Sequence, residues 1–353
     1  MSSGRSPATH KTFEPVLPNE DITSYTMSKI PAKPAALPAP SVGSANPSAS
    51  LPALWGYILP ALNHIARSPT STPERAPAID IAYRMGIHTA AYNYITAVPA
   101  LPPVAPLSGK GREIDSIGTS LYLHLDRYFT DLALEMLVDA PEDDKTLIQY
   151  LIPCFKRYAV SAHTINRLLG CINKNYVDRA INQDRGWLTL GDMLDTVTKS
   201  IEKGHTPGQI AQRLVGKRMD ELKRWGYKVG GPLEKLAEAE LCAEAASSLD
   251  RIVPLEALAL RRFRTEFIES LLATPKAKKN GRRPGASTIN GPKDLNLPRC
   301  RLARTLEESP RIHSGDSEHK EWYDLATMLR IVGVQRTHPM RKKLDKFLTA
   351  GQK

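Results

Sequence analysis

The chain has 353 residues, of which 41% are hydrophobic and 6% aromatic, so it can form a sizeable core built mainly from aliphatic side chains. Its net charge of +11 and isoelectric point of about 9.4 favour acidic partners such as nucleic acid, an anionic membrane surface or an acidic protein. The four cysteines form no CxxC pair and no apolar run reaches about 18 residues, which argues against a disulfide framework, a zinc site and a membrane span.

The N-terminal segment, residues 1–50, holds eight prolines and nine serines and few large apolar side chains. Such a segment buries too little apolar surface to offset the entropy lost on ordering, so the sequence predicts a disordered tail. It also lacks the apolar stretch of a secretory signal, and we expect a cytoplasmic or nuclear protein. Two further breaker clusters, at 97–111 and 274–298, divide the remaining chain.

Between these clusters, apolar residues recur every three or four positions, which is the period of an amphipathic helix. The first two series are Leu121, Leu125, Phe129, Leu132 and Met136, then Ile165, Leu168, Leu169, Ile172 and Tyr176 with Ser161 as N-cap. The later series are Val215, Met219 and Leu222 beside Trp225, then Leu236, Leu241, Ala245 and Leu249. No alternating strand pattern occurs, so we predict an all-α fold, an elongated stack of helical bundles behind the disordered tail.

Motifs for chemistry are missing from the sequence: it contains no HExxH, no GxxxxGK[ST] phosphate loop and no GxSxG elbow. Cys171 lies on an apolar helical face without a histidine one turn away, so we interpret it as a core residue rather than a nucleophile. The acidic pair Asp143–Asp144 is typical of a solvated loop. We therefore expect no catalytic residue, no cofactor and no metal ion.

Five cationic residues fall between Lys276 and Arg283 in the third breaker cluster. Gly281, Pro284 and Gly285 break any helical register there, so the sequence predicts a flexible loop. The same run fits three interpretations: a solvated loop, a nuclear-import signal or a nucleic-acid patch.

Four stretches of sequence, in order, carry a family resemblance. They are LWGYILPALNHIARSP, MGIHTAAYNYIT, LYLHLDRYFTDLALEML and FKRYAVSAHTINRLLGCINKNYVDR. They resemble the first repeat of a cullin, the scaffold of multisubunit ubiquitin ligases: a Trp-led helix, a helix ending in Y-N-Y-x-T, a third helix opening with Leu-Tyr, and the pattern W-x-x-Y…S-S…L-N…Y-L-N-R-x-W-V. Fainter similarity in IEKGHTPGQIAQRLVGKRMDELKRWGY and in two later segments extends the resemblance over roughly residues 54–350.

The resemblance implies a division of the chain into repeat-like regions. These are a first, adaptor-binding repeat at 51–180, a shortened second and early third repeat at 181–273, a basic flexible loop at 274–315 and the end of the third repeat at 316–353. The chain ends at Lys353, about where the RING-recruiting domain of the family begins. We therefore expect no RING partner and no ubiquitin transfer.

In the family, the second and fifth helices of the first repeat receive an adaptor of BTB/POZ fold. By that resemblance, the helix from Tyr83 to Thr96 turns Ile87, Ala90, Ala91 and Tyr94 inward, and the adaptor-binding residues are Arg84, Met85, His88 and Tyr92, with Asn166, Asn173 and Tyr176 at the edge from a helix at 161–177. Departures are present: Arg84 and His88 stand where the family often has tyrosines, and Tyr176 replaces its tryptophan.

Exposed methionine and aromatic side chains suit a small interface. Periodicity alone does not assign the two faces, however, so Met85 and Tyr92 could equally be core residues and Asn173 a simple solvated residue.

Three functions follow from these observations. The first is a non-catalytic scaffold that binds a BTB/POZ-fold or F-box-type adaptor together with its substrate receptor, without membrane contact. The second is a basic helical-repeat protein that binds nucleic acid, and the third is an enzyme with an unrecognised site. A continuous basic face would favour nucleic acid, whereas an apolar-aromatic patch near the N-terminal end would favour an adaptor.

Overall fold

The computed structural model describes residues 46–68, 74–97, 117–197, 207–273, 300–308 and 316–350. In these ranges the regular structure is entirely helical, without a strand, which confirms the all-α class. Only residues 46–50 of the predicted tail are described, and Pro47–Ala49 form a short 3-10 turn there. The basic run 276–283 and the cluster 98–111 lie outside the described residues.

The helices follow one another along the chain with short connections. They are α1 Leu51–Arg67, α2 Ile81–Thr96, α3 Ile117–Val138, α4 Leu147–Leu168, α5 Gly170–Ile172, α6 Asp178–Asn182, α7 Leu190–Val197, α8 Pro207–Arg224, α9 Leu233–Ala246, α10 Leu255–Arg262, α11 Glu269–Leu272, α12 Arg301–Glu308, α13 Asp316–Ile331 and α14 Pro339–Ala350. Two π-helical segments, Asn173–Val177 and Phe263–Ile268, join α5 to α6 and α10 to α11.

The long helix α4 lies at the centre of the packing. It contacts α1, α10 and α13, and one continuous core cluster runs from Leu54 in α1 to Leu344 in α14. A smaller cluster around Trp225 and Cys242 joins α8 to α9. In a solenoid each repeat touches only its neighbours. Because α4 contacts helices from both ends of the described chain, the packing gives no support to the predicted elongated stack.

The start of α4 corrects the helix predicted at 161–177. The helix begins at Leu147 and ends at Leu168, with Pro153 inside it, so Ser161 is not an N-cap. Ser161 is buried, and its hydroxyl donates to the carbonyls of Ile65 at 3.2 Å and Arg157 at 2.9 Å. The serine therefore ties α4 to α1 instead of starting a helix.

Helix α12 corrects the loop predicted at 274–315 over residues 301–308, whereas 274–299 and 309–315 lie outside the described residues. Leu302 and Leu306 of this helix are buried in the core. Arg301 and Arg304 each donate from Nε to a different oxygen of Asp144, both at 2.9 Å. Asp144 therefore anchors a helix more than 150 residues away in sequence, rather than lying in a solvated loop.

Two members of the predicted apolar series face solvent. Val215 is exposed on α8, and Leu249 is exposed in the turn after α9, which ends at Ala246. The apolar side of α8 is instead formed by Leu222 together with Trp225 just beyond the helix, both buried against α9. The helical period was correct for these segments, whereas the face assigned to single residues was not.

Glu244, on α9, gives the fold a pH dependence. Desolvation by burial, reinforced by repulsion from Glu240, raises its pKa from 4.5 to about 8. Because the folded state then holds this proton more tightly than the unfolded state, the contribution of Glu244 to stability is greatest below about pH 4.5 and falls as the pH rises toward 8. We expect Glu244→Gln to melt several degrees higher than the wild type at pH 8 and equally at pH 4.5, measured by calorimetry. A constant difference across this range would contradict the raised pKa.

Candidate functional site

Helix α2 is fixed in place at its first two turns. The Asp80 side chain accepts hydrogen bonds from the amides of Ala82 at 2.9 Å and Tyr83 at 3.3 Å, which caps the helix. The Tyr83 hydroxyl donates to the Tyr57 carbonyl of α1 at 2.7 Å. A side chain on Gly86 would clash with the Tyr57 hydroxyl, so the tip of the Tyr57 side chain lies against the backbone of α2 there. These contacts fix the N-terminal half of α2 against α1.

The inner face of α2 packs against α1 and α5. Ile87, Ala90 and Ala91 are buried, as the sequence predicts for these three positions. Tyr94, the fourth residue predicted to turn inward, is half-buried at the margin of the core. Tyr83 joins the buried face as well. Small alanines let the neighbouring helices come close, while Ile87 provides the main apolar contact.

The outer face of α2 carries large side chains in solvent. Met85 is 58% exposed and Tyr92 is 46% exposed, so the alternative that they are core residues is wrong. Arg84 and His88 are exposed beside them. All four outward predictions on this helix agree with the structure in their exposure, and adaptor binding by them remains a prediction.

Ile81 extends this face and was missed from the sequence. It is 76% exposed, the highest value among the large apolar residues of α2. Ile81, Met85, His88 and Tyr92 follow the spacing i, i+4, i+7 and i+11, which places them in one row on a helix. We call this row the α2 stripe. The signal was present in the sequence as an isoleucine one turn before Met85, directly after the capping residue Asp80.

Charge on α2 is low. Arg84 is its one Lys, Arg, Asp or Glu side chain, and the remainder of the helix is apolar, small or neutral polar. Apolar residues occupy both faces of the helix. A row of exposed apolar side chains on a helix with a single full charge is typical of a surface that meets another protein rather than a polyanion.

Asn166 and Asn173 take part in a hydrogen-bond network at the start of α10. The Asn173 amide donates to the Asn166 side-chain oxygen at 2.7 Å, and its own oxygen accepts from the Leu255 amide at 3.2 Å. Asn166 in turn donates to Glu256 at 3.3 Å. Both side chains are half-buried. Their amide groups hold the first turn of α10 against α4, which accounts for them without an adaptor.

Tyr176 is buried, so its predicted place at an exposed edge is wrong. The centroid of its ring lies 5.3 Å from that of the Tyr122 ring. A side chain on Gly118 would come within 2.9 Å of the Tyr176 ring. The tyrosine therefore packs α3 against the π-helical segment Asn173–Val177. An aromatic residue in a helical series does not by itself indicate whether it is buried or exposed.

The four cysteines are free, and the buried ones have little thiolate character. Burial raises the pKa of the Cys154 and Cys242 thiols to about 11 each, and it also raises that of Cys171. Since the thiolate is the nucleophile, these thiols are unreactive near neutral pH. This agrees with the interpretation of Cys171 as a packing residue.

No protein-family model, curated protein or solved structure matches the chain. Within the described ranges, no helix combines the length and apolar character needed to cross a bilayer. The same residues contain no group of three or more His, Cys, Asp or Glu side chains placed to hold a metal ion. The α2 stripe is accordingly the candidate site on which a functional interpretation can be built.

Proposed function

We propose that the chain is a non-catalytic scaffold that binds a BTB/POZ-fold or F-box-type adaptor through the α2 stripe. The observation that carries the proposal is the exposure of Met85 and Tyr92 on a helix whose opposite face packs into the core. The adaptor class comes from the sequence resemblance to the first repeat of a cullin, in which the second helix receives such an adaptor.

An adaptor bound to the α2 stripe would bury apolar surface. Ile81, Met85 and Tyr92 present large apolar areas that a partner can remove from water. Flexible methionine and amphipathic tyrosine are frequent anchors of binding energy. Because Asp80 and Tyr83 fix the helix before binding, little ordering of the backbone opposes association.

Nucleic-acid binding, the second hypothesis, has less support from the described residues. Several arginines form ion pairs with carboxylates within the fold, including Arg67 with Glu135 and Arg262 with Asp126. The basic run at 276–283, on which this hypothesis depends, lies outside the described residues. Steep salt dependence of duplex or single-strand binding, lost when the five cations of this run become alanine, would favour it over the adaptor.

The double substitution Met85→Ala with Tyr92→Ala tests the adaptor site. Removing a central pair of interface anchors typically costs about 2 kcal/mol or more, or roughly thirtyfold in affinity. We expect this loss against a purified BTB/POZ-fold or F-box-type adaptor in titration calorimetry. Since both side chains are largely exposed, we expect the melting temperature to stay within about one degree of the wild type.

Two control variants on the same helix make the result specific. Asn93→Ala removes an exposed side chain away from the α2 stripe and should change neither binding nor melting. Ile87→Ala removes a fully buried side chain and should lower stability by about 2–5 kcal/mol. Wild-type protein that binds neither adaptor class at micromolar concentration, or a double variant that binds as tightly as wild type, would contradict the proposal.

A further inference from the structure

A pocket lies far along the chain from α2. The pocket, of about 360 Å³, opens between the C-terminal end of α8, the start of α9, and helices α13 and α14. The cations that line it are Arg224, Lys235, Arg330, Arg336 and Arg341. Asp345 is the one acid among its lining residues, and Trp225 and Tyr323 add aromatic surface. We call this feature the cationic pocket.

The charges around the cationic pocket are only partly balanced. Arg224 pairs at 2.7 Å with Glu221, which is not a lining residue and also pairs with Lys217 at 2.9 Å. Lys235 and Arg330 share a single carboxylate, Glu238, with Lys235 at 2.8 Å from one of its oxygens. Two cations on one carboxylate leave an excess of positive charge on this side of the pocket.

The positive charges of Arg336 and Arg341 are balanced even less. Arg336 is exposed and forms no ion pair with the described residues. Arg341 is 3% exposed, and the nearest carboxylate, Asp345, lies 4.0 Å from its Nη2. The lining therefore holds five cations against one carboxylate, and the two further carboxylates that pair with these cations, Glu221 and Glu238, are each shared between two cations.

Arg341 also has an unmet hydrogen-bonding requirement. Its Nη1 donates to the Ala326 carbonyl at 2.8 Å, whereas its buried Nε has no hydrogen-bond partner. A buried donor without an acceptor costs about 1–3 kcal/mol, and more when the group is charged. Burial lowers the pKa of Arg341, and the neighbouring Arg336 and Arg330 act in the same direction. An anion in the pocket would offset the positive charge that surrounds Arg341.

We propose that the cationic pocket binds a small phosphate-bearing anion. Guanidinium groups present parallel N–H donors that match the oxygens of a phosphate group. The volume falls at the lower end for sites that hold small molecules, so it suits one or a few phosphate groups rather than a polymer. A free phosphorylated metabolite and a lipid headgroup share this chemistry. The proposal is independent of the α2 stripe.

The test uses inorganic pyrophosphate titrated into the full chain by calorimetry at constant ionic strength. We expect saturable binding at one site and a higher melting temperature in its presence. Arg336→Ala should weaken binding at least about tenfold, because a charge-assisted hydrogen bond is lost. Arg336 is exposed, so this variant should fold normally.

The matched control is Lys342→Ala, which removes the same charge from α14 at an exposed position outside the pocket lining. It should bind pyrophosphate like the wild type. A parallel experiment compares vesicles carrying phosphorylated inositol lipid with neutral vesicles. Binding to pyrophosphate or to the anionic vesicles that depends on Arg336 and not on Lys342 supports the pocket and identifies the source. Equal losses in both variants, or no binding by the wild type, would overturn it.

Discussion

Gly333→Ala should cost about 4 kcal/mol or more of the free energy of unfolding, because no side chain fits at this position. Gly333 has a φ of +87°, in the left-handed region that glycine adopts readily. An added Cβ would lie 2.5 Å from the Ala246 nitrogen, 2.6 Å from its Cα and 2.8 Å from the Ala245 carbonyl carbon. All three are backbone atoms of α9, so the clash can be relieved only by moving a helix.

The conformation of Gly333 is required because it ends α13. Its amide donates to the Arg330 carbonyl at 3.0 Å, and the Val334 amide donates to the Leu329 carbonyl at 2.8 Å. This is the hydrogen-bond pattern of a Schellman motif, which needs a left-handed residue after the helix. The substitution therefore damages both the end of α13 and its contact with α9.

Gly216→Ala is the matched control for this prediction. Gly216 lies inside α8, and nothing comes within 4 Å of an added Cβ. The substitution should stabilise the protein by about 0.5–1 kcal/mol through the greater helix propensity of alanine. Urea denaturation of both variants measures the difference. A Gly333→Ala protein as stable as Gly216→Ala would show that α9 and α13 are packed differently.

Local features of the chain were predictable from the sequence. The all-α class follows from the 3.6-residue period, which depends on neighbours in sequence alone. The inward positions Ile87, Ala90 and Ala91 were also correct. The outward positions Met85 and Tyr92 could not follow from periodicity, because α2 has apolar residues on both faces, and they depended on the family resemblance.

Features that depend on distant residues were not predictable. Asn173 was placed at a surface, but the Leu255 amide that it accepts from is 82 residues away in sequence. The cationic pocket joins Arg224 of α8 with Arg341 of α14, and nothing in either segment indicates the other. Such sites depend on which helices pack together, and one sequence contains no direct signal of that packing.

Arg261→Ala should cost about 3–5 kcal/mol of the free energy of unfolding, because it removes a large buried side chain together with its hydrogen bonds. Arg261 is 1% exposed and sits on α10. Its Nη1 donates to the carbonyls of Ser248 at 2.8 Å and Arg251 at 2.9 Å, and to the Ser247 hydroxyl at 3.3 Å. These acceptors belong to the turn that connects α9 to α10, so the Arg261 side chain links several residues of this connection.

The turn is held from its other side by Tyr122 of α3. The Tyr122 hydroxyl donates to the Val253 carbonyl at 2.9 Å and accepts from the Val253 amide at 3.2 Å. Loss of Arg261 would remove the donor to the partly buried carbonyls of Ser248 and Arg251 and open a cavity beside this bond. The cost of burying the guanidinium, which lowers its pKa, would be recovered and reduces the net effect.

Two further variants separate these opposing contributions. Arg261→Met keeps much of the volume while removing the donors and the charge, so it should remain destabilised by about 2 kcal/mol from the unpaired carbonyls alone. Arg218→Ala removes a half-exposed arginine that pairs with Glu240 and should cost no more than about 1 kcal/mol. Urea denaturation measures all three. If Arg261→Met were as stable as the wild type, the free-energy cost of burying the guanidinium would equal the stabilisation from its hydrogen bonds. Arg261 would then not be the residue that fixes the turn.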